Sequence, residues 1–495
     1  MGFDPFGRAR LVRGWVAGLC VGAVVTLAAA QKAPPAGAVA SPQSLDLSLR
    51  QAVALAVAQN KTVRSAYLDR VSQRYVLKVA EYRFVPLFEW SSAVSRLAPT
   101  GAASGVGQST SSGLTARQVL PLGGQADLSV TASRQPGAVV GEGASRGTTW
   151  TLSVLQPLLK GAGWEVAHSP VTLAQLAEQQ NMLTLKAVVG GVVAEVIAAY
   201  HQYARALGAE AIARESVARA ERTLETYRAL MAAGRVAAVD IVQFESDLAN
   251  QAYARLAAEN ATESARLALA RLLGLAPDQP LRLETLRWEA PTLPTVEEAL
   301  QGALVERTDA LGLEIGLVAA RLRLRLARNQ QLPDLSAVAS WTGIRSRNAP
   351  LAALAQPDSW SAGLRLTVPL NDPSIRLALV MAQTDLDKTE LAQAQLRESI
   401  EVEIRNAVRG LDLSWRQYKL AEAALKLSER KFEIETEKLR VGRSSNFQLI
   451  AFQNDLLTAQ NNVLNSGTAY LDAQTSLERA RGLLLARWDI ALEER

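Results

Sequence analysis

Apolar positions recur alternately four and three residues apart along two long stretches of this chain. In the later one the series is Ala421, Leu425, Ser428, Phe432, Glu435 and Leu439. It stops at Val441-Gly442-Arg443-Ser444-Ser445 and resumes as Leu449, Phe452, Leu456, Ala459 and Val463. Such spacing predicts helices with a packing seam, and the glycine between them supplies the reversal of a hairpin. The earlier stretch has the seam Ala213, Val217, Ala220, Leu224, Tyr227 and Met231, the turn Gly234-Arg235, and an outward face of Ile241, Phe244 and Leu248. Phe244 matches Phe452, Asp247 matches Asp455 and Gly274 matches Gly482, each pair 208 residues apart. The chain is therefore an internal duplication.

Ahead of each hairpin the same order of signals recurs. Ser48 with Gln51, and Thr295 with Glu298, have capping-box spacing and open helices to about Arg83 and Gln331. Pro86 and Pro333 end them, and the period then changes to two. Trp150, Leu152 and Val154 alternate with Thr149, Thr151 and Ser153; Trp360, Ala362, Leu364, Leu366 and Val368 alternate with Ser361, Gly363, Arg365 and Thr367. Ala126, Leu128, Val130 and Ala132 form a third such face, while Phe88, Trp90 and Val94 are matched by Leu335, Ala337 and Trp341. One apolar and one polar face predict a barrel wall between lipid and water. The competing reading is a soluble half-buried sheet. Trp150, Trp341 and Trp360 favour the barrel, since they fall where a lipid-facing aromatic girdle would lie. Gly/Ser-rich stretches at 100–113, 137–147 and 346–358 read as rim loops.

Helix is predicted again after Pro157 and Pro373. The stretches 165–231 and 374–440 would each be about 100 Å long at 1.5 Å per residue, far beyond a globular helix. The organisation read from these signals is a leader at 1–30, a disordered segment at 31–43, and a first repeat at 44–274. A Pro-rich linker at 275–293, a second repeat at 294–483 and a tail at 484–495 follow. The predicted fold is mainly α with membrane β. One copy has too few strands to close a pore, so several chains would have to share the barrel.

Composition narrows the function. Arg8, Arg10 and Arg13, the apolar run Val16–Leu27 and Ala28-Ala29-Ala30 read as a secretory signal. Cys20 is the only cysteine and lies inside it, so no disulfide or cysteine metal site is expected in the exported chain. No other long apolar segment is evident after the leader, so a membrane would be met as a β-barrel. The net charge is +5 for the full chain, spread in alternating signs along the helices, and no basic block points to nucleic acid. His168 and His201 stand 33 apart with no ligand partners and read as surface or seam residues. No nucleophile, phosphate-loop, dinucleotide or zinc motif occurs in a usable context. No catalytic, cofactor or metal residue is expected.

The duplicated halves, the strands inserted between very long helices and a glycine-centred tip in each half resemble the TolC-like outer membrane efflux family. The most specific pieces are Leu152-Ser153-Val154-Leu155-Gln156-Pro157-Leu158-Leu159, its counterpart Leu364-Arg365-Leu366-Thr367-Val368-Pro369-Leu370, and Leu439-Arg440-Val441-Gly442. The resemblance implies a homotrimer in outer-membrane lipid with a large periplasmic portion, its long antiparallel helices forming an α-barrel tunnel and its strands contributing to a shared trimeric outer-membrane β-barrel. It would carry substrates from a periplasmic adaptor and inner-membrane transporter to the exterior, in efflux or type I secretion. It also implies adaptor contacts at Gly234, Arg235, Gly442 and Arg443. Gate candidates are Asp240, six residues after Gly234, with Arg443 and Gln448. Where the family often carries acids six and nine places after the second glycine, this chain has Gln448 and Ala451. The first half departs from the usual two strands with an additional alternating pair around Pro121–Gly124. The alternative is a periplasmic coiled-coil scaffold or adaptor without a pore, which leaves the Trp-bearing strands without a role.

Overall fold

The computed structural model describes residues 45–97, 107–135, 145–232, 238–285, 288–347, 358–441 and 443–490. The leader and the segment 31–43 lie outside the described residues, as do Gly234, Arg235 and Gly442.

A short strand β1 (Leu45–Leu47) leads into helices α1 (Leu49–Gln59) and α2 (Lys61–Glu81). Four strands follow: β2 (Leu87–Leu97), β3 (Gly107–Val119), β4 (Gln125–Gln135) and β5 (Ser145–Pro157). The first hairpin is α3 (Trp164–Ala232) and α4 (Ala238–Leu273). Strand β6 (Leu281–Leu283) then pairs in parallel with β1. The second half runs α5 (Val296–Glu306), α6 (Thr308–Asn329), β7 (Asp334–Arg347), β8 (Ser359–Thr367), α7 (Pro373–Arg440), α8 (Asn446–Ala480) and a final turn α9 (Leu484–Arg487).

Both capping boxes form. Ser48 and Thr295 accept from the backbone of Gln51 and Glu298, whose side chains accept from the cap backbone in return. The helices they open are not continuous, as the sequence predicts, but break at Asn60 and Arg307, which are extended (ψ 130 and ψ 129). The two breaks stand 247 residues apart, the offset of the capping boxes. Each one braces the end of a returning helix. Asn60 Nδ2 donates to the Leu272 carbonyl at 2.8 Å, and Arg307 Nη1 donates to the Ala480 carbonyl at 3.0 Å. Asn60 also caps α2 by accepting from Thr62 N–H at 2.8 Å. Arg307 is held by Asp309 and Glu403, and the Arg307 guanidinium keeps the Asp309 carboxyl below its usual range. Gly274 and Gly482, at φ 71 and φ 75, end the hairpins against these breaks.

The core lies at this level. Val189, Val193, Val196, Ile197 and Tyr200 of α3 pack with Val53, Ala56, Val63, Leu269 and Leu273. Against the expectation of no further long apolar segment, α3 contains an 18-residue window of mean hydropathy 1.8, long and apolar enough to cross a membrane. Burial of the α3 valines against α1 and α4 gives that apolarity a structural reason. Pro170 sits inside α3, and the Val166 carbonyl it leaves free accepts from Ser169 Oγ at 2.7 Å.

The remaining helices form an open layer. α3 packs on α2, α4, α6 and α8, and α7 packs on α6 and α8. One flank is therefore α2 and α4, the other α7. The first hairpin's seam is buried from Ala213 to Tyr227, with Met231 at 37% exposure. In the second, Phe432 and Leu439 are only half-buried, because α7 has no helix on its outer side.

Candidate functional site: the membrane wall and the helical tips

Six strands form one antiparallel sheet in the order β2-β3-β4-β5-β7-β8. The pair around Pro121–Gly124 is thus part of the wall, and the first half contributes four strands. Stretches 107–113, 145–147 and 346–347, expected as rim loop, are strand instead. Their serines explain the difference, since hydroxyls bond across the ladder, Ser92 with Ser112 at 3.0 Å for one.

The register sorts the side chains without exception through the middle of the sheet. One row reads Phe88, Ala116, Leu128, Leu152, Trp341, Trp360 across all six strands. The next row, on the opposite face, reads Glu89, Thr115, Ser129, Thr151, Thr342, Ser359. Two faces so different match the alternation of a wall with one apolar and one polar side. Trp360 is 79% exposed and Trp341 38%, both on the apolar face. Trp150 shares that face, one row further out, with the Arg345 guanidinium 6.0 Å from its ring. Trp90, 73% exposed, stands in the Trp150 row on the same face. The sequence listed it as a strand residue only; its partner row was the missing information.

On the inner side the β3–β4 turn is docked rather than free. Leu122 carbonyl accepts from Gly163 N–H and from Gln156 Nε2, each at 3.2 Å, at the junction of β5 and α3. The wall is thus seated directly on the long helices.

At the opposite end the helices meet in two tips. Tyr227 and Phe244 stack at 4.0 Å between ring centroids, with Leu224 and Ile241 buried beside them. In the second tip Arg443 N–H donates to the Lys438 carbonyl at 2.8 Å, the six-to-one bond of a Schellman cap. Glu435, placed in the seam by sequence, turns out to staple this tip: it accepts from Ser444 Oγ and sits 3.3 Å from Lys438 Nζ. The Ser444 hydroxyl, helped by Lys438, holds its carboxyl below the ordinary value. Arg443 and Gln448 are exposed, and Ser445 Oγ caps α8 by accepting from Gln448 N–H. Asp240 lies in the first turn of α4, but its side chain is outside the described residues, so no pairing with Arg443 is drawn. Further up the seam Asp247 is buried beside Gln251, and burial pushes its carboxyl up. Its repeat counterpart Asp455 is exposed and pairs with Lys431 at 2.8 Å.

His168 stacks between Phe84 and Trp164, and His201 is buried in the seam with Nδ1 2.7 Å from Asp472. Among the described residues no group of three or more His, Cys, Asp or Glu is arranged to hold a metal ion.

An amphipathic strand wall on a layer of helices about 100 Å long is the mixed helical and β-wall architecture that the sequence predicts. Residues 299–483 match the family model described as outer membrane efflux protein. A curated relative, the pyoverdine export outer membrane protein OpmQ of Pseudomonas aeruginosa, is 26% identical over 285 residues, 55% of this chain. The match spans 57% of that relative's length. Two solved structures share the fold. The Campylobacter jejuni CmeC outer membrane channel aligns with a TM-score of 0.67 at 17% identity, over 88% of this chain and 85% of its own. CusC aligns at 0.68 and 15% identity, over 88% and 92%. The family match covers residues 299–483, and the likeness to the solved structures extends the shared fold over most of the chain.

Proposed function

We propose that three copies of this chain close head to tail into a channel-tunnel that carries substrates out of the cell. The supply would come from a periplasmic adaptor and an inner-membrane transporter, in efflux or type I secretion. One observation carries the reading: the molecule is open along both flanks over its whole height. Among the described residues, β2 and β8 are the unpaired edges of the wall. Next to β2, α2 exposes Leu68, Val71 and Tyr75; next to β8, α7 exposes Leu377, Met381 and Leu391. Nearer the tips the pair is Val242 and Tyr253 of α4 against Leu427 and Ile434 of α7. Two different flanks that need covering favour a heterologous contact, and rotation closes such contacts into a ring. Three six-stranded walls give eighteen strands, within the size range of barrels that leave an aqueous channel. A scaffold without a pore leaves the two-solvent wall without a purpose.

In this reading Gly234, Arg235, Gly442 and Arg443 dock the adaptor, and Asp240, Arg443 and Gln448 line the closed entrance. In a strain lacking its own channel, Gly442→Trp is expected to abolish efflux at unchanged trimer yield. Wild-type efflux from that variant removes the tip as the docking site. Asp240→Ala is expected to lengthen openings in planar bilayers without holding the pore open. Exposed pairs are worth about 0–1 kcal/mol each, so three copies fall short of the roughly 5.5 kcal/mol that swings a two-state gate. Unchanged open time makes Asp240 a helix start and nothing more.

A further inference from the structure

The lipid-facing side of the wall carries a charge cluster that the channel reading does not use. Beyond the tryptophans, at the end of the sheet away from the helices, Arg134 of β4, Arg146 of β5 and Arg347 of β7 are direct neighbours across three adjacent strands. They stand on the same face as Leu128, Leu152 and Trp341, being even steps along their strands from those residues. Arg345 joins them one row inward, and all four line a single shallow groove with Thr110 and Thr148. Adjacent strands are about 4.8 Å apart, so three like charges are stacked where like charges oppose folding. Arg345 is paired with Asp358 at 2.9 Å, whereas Arg134, Arg146 and Arg347 have no carboxylate within ion-pair distance among the described residues. All four are exposed. A wall does not gather such a cluster at no benefit; it calls for an anion.

Height identifies which anion. From Trp150 to Arg146 is four residues, about 13 Å along the strand. Tryptophan marks the boundary of hydrocarbon and headgroup. A row two steps further out lies at the depth of headgroup phosphates, and guanidinium forks grip phosphate bidentately. We propose that Arg134, Arg146 and Arg347 form a site for the phosphate groups of a phosphorylated outer-leaflet lipid. The inference rests on the apolar face being the lipid-facing one. Several phosphates on one lipid, held by three arginines at once, would bind where a single free phosphate does not.

The test uses the complex extracted in detergent, in EDTA so that no divalent cation bridges the partners. Bisphosphorylated lipid A, fully dephosphorylated lipid A and inorganic phosphate are compared as ligands by native mass spectrometry. Bisphosphorylated lipid A is expected to bind at least about tenfold tighter than the dephosphorylated form. The triple variant Arg134→Gln, Arg146→Gln, Arg347→Gln should lose that preference, and the matching triple lysine variant should keep part of it. Equal binding of both lipids by the unmodified protein overturns the site, and this comparison needs no variant. So does a preference that survives in the glutamine variant. Inorganic phosphate competing as well as lipid A overturns the lipid assignment and leaves a plain anion site. Conductance of the same preparation is recorded in parallel. A conducting complex without lipid preference overturns this inference alone, whereas a preparation that forms no pore counts against the channel reading.

Discussion

Gly482→Val is expected to destabilise the protein by about 2–5 kcal/mol. The left-handed conformation at φ 75 costs a residue with a Cβ roughly 1–2 kcal/mol. A Cβ there would also lie 3.0 Å from Arg307 N, 3.0 Å from Glu306 C and 3.1 Å from Glu306 O. These are backbone atoms, so no side chain can swing away, and overpacking of this kind adds about 1–3 kcal/mol. The site is where a returning helix stops against the break between α5 and α6, so displacement there spreads to the Arg307 network. Gly302 provides the contrast. It is helical in α5 with nothing within 4 Å of its ideal Cβ, and alanine there should be neutral or stabilising by up to about 1 kcal/mol. Helical ellipticity followed against temperature separates the two. If Gly482→Val melts with the unmodified protein, the joint is not a rigid stop.

The second expected result concerns the flank. Leu68→Glu with Val71→Glu should leave the chain folded but unable to assemble. Both side chains are mostly exposed in the single chain, at 72% and 68%, so replacing them removes little buried area within it. Burying a large apolar side chain is worth about 1.5–3 kcal/mol, and a charge placed there adds a desolvation cost of several kcal/mol. Repeated at three interfaces, that exceeds what a marginal assembly tolerates. Size-exclusion in detergent should show monomers of native helicity. Trimers at normal yield would mean that α2 is not an interface.

Much of this was legible in the sequence. The hairpins followed from the four-and-three spacing: 165–231 and 374–440 were expected, and helices Trp164–Ala232 and Pro373–Arg440 are found. The wall followed from strict alternation, which only a two-faced sheet needs. What sequence missed needed a partner to be visible. Asn60 and Arg307 interrupt their helices without glycine or proline, and the apolar period runs on through both. Their reason for breaking lies in the Leu272 and Ala480 carbonyls, some two hundred residues away. The residues Gly107 to Gly113 looked like loop because serine and glycine are poor strand formers in isolation. In the sheet they are the outer end of a strand whose neighbours supply the pairing. The arginine cluster was invisible for the same reason. Arg146 and Arg347 are 201 positions apart, and only strand register brings them side by side. The half-exposed second seam differs from the first because α7 has no helix on its outer side within the single chain.

The mass of the complex released from membranes in mild detergent tests the central claim most directly. Native mass spectrometry is expected to show one species of three chains, with no protein recovered in soluble form without detergent. A monodisperse soluble monomer in detergent-free buffer would contradict the account, because the apolar face of the wall and both open flanks would then have no function.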